Sequence, residues 1–516
     1  PCRMDFIQQQ SRHQISMHCS EDHIHADNPV RVMDAFVQKL DLVKLGFRAR
    51  VLQQEGRPAF ESKVLLKLYL YGYFNSIRSS RKLERECLLN IELHWLLGHL
   101  QPNYHTIADF RKDNPAALKN LFKLFVLFLK DAHLVAGAVV AVDGTKVRAH
   151  NSKKNNYSKK KIEDHLARID QKTNHYLSQL QANDQSDDLP KIKEVTEKLK
   201  HLAGARIKYE LLEKEIQQTG QQQVSTTDSD SRAMLVQGQV VEVAYNVQAA
   251  VDAKHKLVVA THTLNRNDRN ALTAIASEAK ENLHSGGYTL LSDKGYHNGR
   301  ELHQCKEQNI NTIVAPPTLV NSNTHGTTPA YVVDKFTYHA KTDTYTCPAG
   351  NTLRTTGTWH KKTRENSAYD FKLYRTPKCA TCPVKNLCTG RTHGGRTIER
   401  SQYAPATEEN KQRYHQHTAL YRTRQEINEH IFGTIKRKWG YYYTNLKGLE
   451  KVNGEFSLIM TVYNLKRSIN ILGIPEILNK LSRWTPNYHR FAGLFINMTS
   501  LAAFYHLEII PARKAA

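Results

Sequence analysis

The sequence predicts an α/β protein built on a mixed β-sheet with helices on its faces, and three observations carry that prediction. Apolar runs of strand length, "GAVVAVDG", "VEVAYNVQAAVD", "KLVVATHTL", "YTLLSDKGY" and "NTIVAPP", follow one another between residues 137 and 317. A helix-like segment, "RNALTAIASEAKENL", separates the third from the fourth, so the strands first meander and then alternate with helix. Amphipathic stripes at three- and four-residue spacing flank this region on both sides.

In front of the strands, residues 28–136 alternate apolar stripes with short polar breaks, as in "AFESKVLLKLYLYGYFNSI" and "KNLFKLFVLFLKDAHL". This is the pattern of an amphipathic helix bundle, with Thr106 read as an N-cap, and it marks an N-terminal helical domain over 1–135; a small basic helical domain in front of a larger one is a common DNA-reading arrangement. No strict helix-turn-helix signature is present, and an ordinary helical domain is the competing reading. Between the first and second strands, Ile162, Leu166, Ile169, Tyr176 and Leu180 recur on one stripe, and Ile192, Val195, Leu199 and Leu202 on another. With "ANDQSDDLP" between them they predict an inserted helical hairpin over 151–225. A second insertion, 321–401, is rich in Thr, Gly, Lys and Arg and carries clustered cysteines. A helix-rich segment then closes a second, α/β domain spanning 136–472, followed by a tail over 473–516.

At 516 residues the chain is long enough for two or three folded units. Lys and Arg number 73 against 49 Asp and Glu, a formal charge of +24, which predicts attraction to a polyanion, most simply nucleic acid. No stretch reaches the roughly 18 apolar residues of a spanning helix, and the N-terminus has no signal-peptide core, so the protein is expected in the cytoplasm without a membrane partner. Eight cysteines are too sparse for a disulfide scaffold.

Asp143 and Asp293 each stand at the end of an apolar run, where side chains of a mixed α/β sheet converge on a ligand. Alone, each is more often a turn residue or a helix cap. Together, in so basic a protein, they point to divalent cations between carboxylates and phosphates. The third acid is sought on "RTRQEINEHIFGTIKRKWG": Arg422, Glu429 and Lys436 share one helical stripe and Ile427, Ile431 and Ile435 the buried one. Gly433 within that helix costs about 1 kcal/mol relative to Ala, which suggests a compensating close approach.

Cys347, Cys379, Cys382 and Cys388 form a C-x2-C knuckle with a third Cys six residues on and a fourth far upstream. Four thiolates suit tetrahedral Zn²⁺; free thiols or an iron–sulfur site are the alternatives. Cys2, Cys19, Cys87 and Cys305 show no such spacing and read as packing residues.

The stretches "VDGTKVRAH", "DSDSRAM…AYNVQAAVDAKHKLVVA", "SDKGYHN" and "EHIFGTIKRKWG…LKGLEKVNGEFSLIMTVYNLKR" together resemble a DDE transposase of a bacterial insertion sequence, nearest to the insertion-sequence-1182-like group, in order from about Asn28 to Ile471. The resemblance implies a ribonuclease H-like core whose triad, Asp143, Asp293 and Glu429, holds two Mg²⁺ (or Mn²⁺) ions. It also implies double-stranded DNA as partner, at the element's ends and at its target, a homodimer in the synaptic complex, and association with the bacterial nucleoid. Related transposases carry a Tyr, Arg, Glu, Lys signature; Tyr421, Arg424, Glu429 and Lys436 match it with one extra residue between Arg and Glu. Glu426 is the alternative third acid, but Glu429 keeps the spacing to Lys436 and precedes "HIFG". The family often has Pro where Ile431 stands.

Such an enzyme generates its nucleophile and stabilises the departing oxygen with the metal pair, and the freed 3′-hydroxyl later replaces water in strand transfer. Lys146, Arg148, Lys153, Lys154, Arg424, Lys436, Arg437 and Lys438 are then expected to hold phosphates, with Trp439 stacking on an unpaired base. Two other readings remain: a catalytically inactive, transposase-derived DNA-binding regulator, and a nuclease of the same core that hydrolyses without joining.

Overall fold

Among the described residues six α-helices precede the first strand, and polar caps set several of their starts. α1 (Pro29–Gln38) begins with Pro29 behind an Asn28 cap; α2 (Ser62–Phe74) and α3 (Ser80–Leu89) follow, then α4 (Ile91–Leu97), capped by Asn90 and ended by left-handed Gly98. α5 (Tyr104–Asp113) is capped by Asn103, whose side chain accepts from the Thr106 N–H at 2.8 Å. Thr106 is therefore not the cap: the amide three residues earlier competes better for the first orphan donors. α6 (Pro115–Asp131) buries nearly its whole apolar run from Leu121 to Leu129.

The chain continues through β1 (Val139–Arg148), β2 (Asn156–Ser158), the long helices α7 (Lys159–Asn183) and α8 (Leu189–Thr219), β3 (Gln223–Ser225), β4 (Arg232–Val236), β5 (Val240–Asp252), β6 (Val258–Leu264), α9 (Leu272–Leu283), β7 (Tyr288–Ser292), α10 (Gly299–Glu307) and β8 (Ile310–Val314). Short strands come next: β9 (Thr337–His339), β10 (Thr344–Thr346), β11 (Thr352–Arg354), β12 (His360–Arg364) and β13 (Ser367–Tyr374). After α11 (Lys385–Cys388) and β14 (Ile398–Ser401), helices α12 (Ala404–Gln416), α13 (Thr418–Phe432), α14 (Leu449–Leu472) and α15 (Ile474–Arg483) end the described chain.

This computed structural model describes residues 19–48, 58–150, 153–183, 189–220, 222–236, 240–317, 327–364 and 367–488. They fall into two units. One holds the described residues up to Val135, Lys146–Val247 and those from Ile431 on; the other holds Ala136–Thr145 and Gln248–His430.

In the first unit α14 lies along α6, and a Cβ on Gly454 would come within 2.6 Å of Pro115 Cα. The glycine of "EKVNGEF" thus sets how closely the two helices approach. Trp484, just after α15, stacks on Phe36 (6.3 Å), meets Phe128 edge-on (5.2 Å) and donates to Asp131 at 3.1 Å. α7 packs on α8, with Ile162, Leu212, Ile216, Tyr157 and Val224 buried at the base and an Arg206–Asp170 ion pair between the helices; their connecting residues 184–188 lie outside the described set. β4 runs antiparallel to the first half of β5, Arg232 opposite Ala244.

The second unit carries the parallel core of the sheet. β7 pairs in parallel with β1 on one side and β8 on the other, which with the antiparallel β4–β5 pair makes the sheet mixed, as expected. Val140, Ala141, Val142, Leu290 and Leu291 are all fully buried, the continuous apolar reading of a strand covered on both faces. α9 packs against β6, with Asn282 donating to the Val259 carbonyl at 2.8 Å. α12 covers β8: buried Asn410 accepts from the Val314 N–H (2.9 Å) and donates to its carbonyl (2.8 Å), satisfying an edge that would otherwise offer open backbone groups. Residues 337–401 form two three-stranded sheets, in the orders β11-β10-β9 and β12-β13-β14.

Candidate active site

Val142 on β1 lies opposite Ser292 on β7 in parallel register, so the residues that follow them, Asp143 within β1 and Asp293 just past β7, stand at the same level where the ladder between the two strands ends. In a parallel pair residues at one level point to one face, and the C-terminal strand ends are where such sheets bind ligands. Asp143 Oδ1 accepts from the Gly144 N–H at 2.8 Å. Asp293 caps a short turn through the Gly295 N–H at 2.9 Å, and a Cβ on Gly295 would stand 3.0 Å from that same carboxylate oxygen. The glycine of "SDKGY" leaves the room in which the acid folds back.

Burial pushes the Asp143 carboxyl up to about 6, opposed by the Gly144 N–H and the Arg424 guanidinium and reinforced by the negative charges of Asp293 and Asp268. Arg424 Nη1 stands 3.6 Å from Asp143 Oδ2, and its Nε is buried with no hydrogen-bond partner among the described residues. One turn further along α13, the carboxamide of Asn428 is buried with neither polar atom bonded.

Asp268 was not singled out in the sequence. It opens the turn after β6 and accepts from Gln248 Nε2 at 2.9 Å; Gln248 in turn accepts from the Tyr296 hydroxyl. Burial raises the Tyr296 hydroxyl far above its usual range, and the charges of Asp268, Asp143 and Asp293 add to the effect, so one phenol feels all three acids. Its signal in the sequence was a carboxylate four residues past the strand "KLVVATHTL", hidden in the turn-like "NRND".

Glu429 lies on the exposed side of α13, accepting from Gln425 Nε2 at 2.6 Å, and Glu426 pairs with Lys256 at 2.6 Å. The buried stripe is as expected: Ile427, Ile431 and Ile435 are 3 %, 0 % and 1 % exposed. Gly433 differs from expectation, because a Cβ there meets nothing within 4 Å. It opens a π-helical turn, Gly433–Lys438, rather than a close approach.

Of the basic residues, Lys436 donates to the Lys146 carbonyl at 3.0 Å, and Arg148 forms an ion pair with Glu242. Arg437, Lys438 and Lys154 are exposed, while the side chain of Lys153 lies outside the described set. Trp439 is a correction. It is 7 % exposed and packs against Tyr441 (5.7 Å) and Tyr463 (6.4 Å), so it is a core residue and not a stacking platform.

Cys347, Cys379, Cys382 and Cys388 line a single pocket, and all four thiols are free. The Asn351 N–H points at Cys347 Sγ (3.3 Å), and Gly395 lies so close to Cys379 that its Cβ would fall 2.1 Å from the cysteine's own. Burial raises the Cys388 thiol; Arg396 lowers it, and the other three cysteines raise it further. Cys87 and Cys305 are buried packing residues as expected, Cys19 is exposed, and Cys2 lies outside the described residues.

In kind, paired carboxylates fit a hard divalent cation and four thiols fit a soft one. Among the described residues, however, no three His, Cys, Asp or Glu side chains stand close enough to hold a metal ion as they are. No described helix is long and apolar enough to cross a membrane.

Residues 346–469 match the family model described as "Transposase DDE domain", a span that contains Glu429 and the four cysteines but neither Asp143 nor Asp293. Residues 18–113 match a second, "Transposase domain (DUF772)". No curated protein and no solved structure matches the chain. Both matches are to transposase domains, the pairing typical of insertion-sequence transposases, and it is these enzymes, which cut and join DNA, that the chain is similar to.

Proposed function

We propose that the protein binds the terminal inverted repeats of its mobile element and performs divalent-metal-dependent cleavage and strand transfer at a ribonuclease H-like site centred on Asp143 and Asp293, with Glu429 as the third acid. The observation that carries this reading is the parallel register that brings Asp143 and Asp293 to the same level where the β1–β7 ladder ends. Two Mg²⁺ ions, when bound, would supply an activated nucleophile and neutralise the leaving oxygen. Asp143 and Asp293 would hold them. Glu429, which here accepts from Gln425 Nε2, would be the third acid to hold them.

The chain's own contribution is electrostatic. Arg424, after the Gly144 N–H, opposes the effect of burial on the Asp143 carboxyl, and its guanidinium is proposed to face the scissile phosphate. Lys146, Arg148, Lys153, Lys154, Lys436, Arg437 and Lys438 supply the positive charge proposed to hold DNA phosphates. The four cysteines would hold a structural Zn²⁺ as thiolates. The protein works as a dimer on double-stranded element ends and target.

The test is a cleavage and joining assay with Mg²⁺ and end-bearing DNA. Nicked and joined products are expected from the native protein and none from Asp143→Asn or Asp293→Asn, both of which still bind. Products from both variants would remove the reading. Hydrolysis without joining of precleaved ends would make it a nuclease, and binding without any product a regulator.

A further inference from the structure

The stretch Tyr441-Tyr442-Tyr443 follows the π-helical turn, and its three rings part company. Tyr441 turns inward, its hydroxyl donating to the Tyr73 carbonyl at 3.1 Å and its ring edge-on to Tyr73 at 5.8 Å. Tyr442 and Tyr443 are 53 % and 41 % exposed, with centroids 5.3 Å apart at 71°.

Their exposure is not that of a loose loop. The Arg148 N–H donates to the Tyr442 carbonyl and the Thr444 N–H to the Arg148 carbonyl, both at 2.9 Å. Arg78 Nη2 donates to the Tyr443 carbonyl at 2.9 Å, and the same guanidinium lies 5.0 Å over the Tyr443 ring while Glu455 fixes it at 2.6 Å. Two large aromatic rings are thus presented to water from a backbone held on both sides. Single exposed apolar residues need no explanation; adjacent rings on a fixed backbone mark a contact surface.

Charge decides what the surface contacts. Exposed Arg437 and Lys438 close the preceding turn, Lys447 follows, and the whole chain carries +24. An apolar protein or lipid tail has no use for that field, whereas a polyanion with flat π-faces matches both features. Paired bases in a duplex offer only their edges in the grooves, so a ring face is available only from an unpaired base. We propose that Tyr442 and Tyr443 form a stacking platform for unpaired bases of a DNA strand end, with Arg437 and Lys438 on its backbone. This rests on the reading that the protein acts on DNA, and it gives the base-stacking role to these tyrosines rather than to Trp439.

The experiment measures binding of the full chain, by fluorescence anisotropy without divalent metal, to a blunt duplex and to the same duplex with a 3′ thymidine tail. The native protein is expected to prefer the tailed DNA. The Tyr442→Ala/Tyr443→Ala double variant should lose roughly tenfold or more on tailed DNA and less than about twofold on blunt DNA, and Tyr442→Phe/Tyr443→Phe should keep the preference. Equal losses on both probes, no preference in the native protein, or an altered oligomeric state in the alanine variant would each overturn the proposal. Because no cleavage is read, failure here leaves the catalytic reading standing. Conversely, an intact tail preference in a protein that never cleaves would sink that reading alone.

Discussion

Glu455 accepts a 2.6 Å hydrogen bond from Arg78 in the interior of the first unit, with the Arg111 guanidinium 3.9 Å from the same oxygen. The carboxylate also receives the Asn445 and Leu446 N–H groups, and burial, which would raise its pKa, is outweighed by the two arginines and these donors. Tyr441 and Tyr69 lie under the guanidinium groups at 4.6 and 5.4 Å, where ring faces take the place of missing acceptors. Removing one partner of such a set leaves uncompensated buried charge. Glu455→Ala is expected to destabilise the protein by about 3–5 kcal/mol, measured by urea unfolding, and to disturb the tyrosine platform that Arg78 supports.

The identity of the third acid is open to a direct comparison. Under the proposed mechanism Glu429→Gln abolishes Mg²⁺-dependent nicking by about a thousandfold or more, whereas Asp268→Asn, through its bond to Gln248, disturbs the site by about tenfold. Nicking rates on end-bearing plasmid check both. The reverse order would transfer the role to Asp268.

Trp439→Ala should behave as a core truncation. A loss of about 3–5 kcal/mol in stability is expected, with thermal unfolding as the measure. The Tyr442→Ala variant, altered at an exposed ring, should unfold within about 1 kcal/mol of the native protein.

Asp343 ties the β9–β11 sheet to β13, accepting from Lys372 (2.8 Å), Tyr338 (2.9 Å) and Tyr374. The Lys372 and Tyr374 hydrogen bonds hold its carboxyl down at about 2, below the ordinary 3.8. The folded pKa is depressed, so this stabilisation is present above pH 3.8 and lost as pH falls toward 2. Asp343→Asn should flatten that acid limb. Thermal unfolding followed between pH 5 and 2 makes the comparison.

For the cysteine pocket, purified protein should carry one zinc per chain by elemental analysis. Cys382→Ser should reduce that content severalfold and lower the unfolding temperature, and a zinc-selective chelator should do the same to the native protein. A fully metal-free native protein of unchanged stability would remove zinc from the account.

The sheet was legible because strands covered on both faces read as unbroken apolar runs, as Val139–Val142 and Tyr288–Ser292 do, and parallel partners bring their end residues together. The isoleucine stripe of α13 was legible from its four-residue repeat. Three-residue strands such as β9, β10 and β11 are too short for a period of two to emerge, so they read only as part of the 321–401 insertion. Asp268 escaped because a turn stands between it and its strand. The outward tyrosines escaped because sequence gives no sign of which of three consecutive rings faces inward; that choice belongs to Tyr73 and Arg78, hundreds of residues away. Trp439 misled for the same reason: an aromatic next to cations looks like a binding residue until its burial is known.

The ladder between β1 and β7 has a consequence for how such a chain tolerates change. Adding or deleting one residue within Tyr288–Ser292 would leave the strand pairable yet turn Asp293 toward the opposite side of the sheet, parting it from Asp143. A two-residue change would keep the carboxylate on its side while moving it by nearly 7 Å along the strand. The spacing of backbone hydrogen bonds is accordingly a chemical constraint, and length variants of this strand should fold more often than they cut.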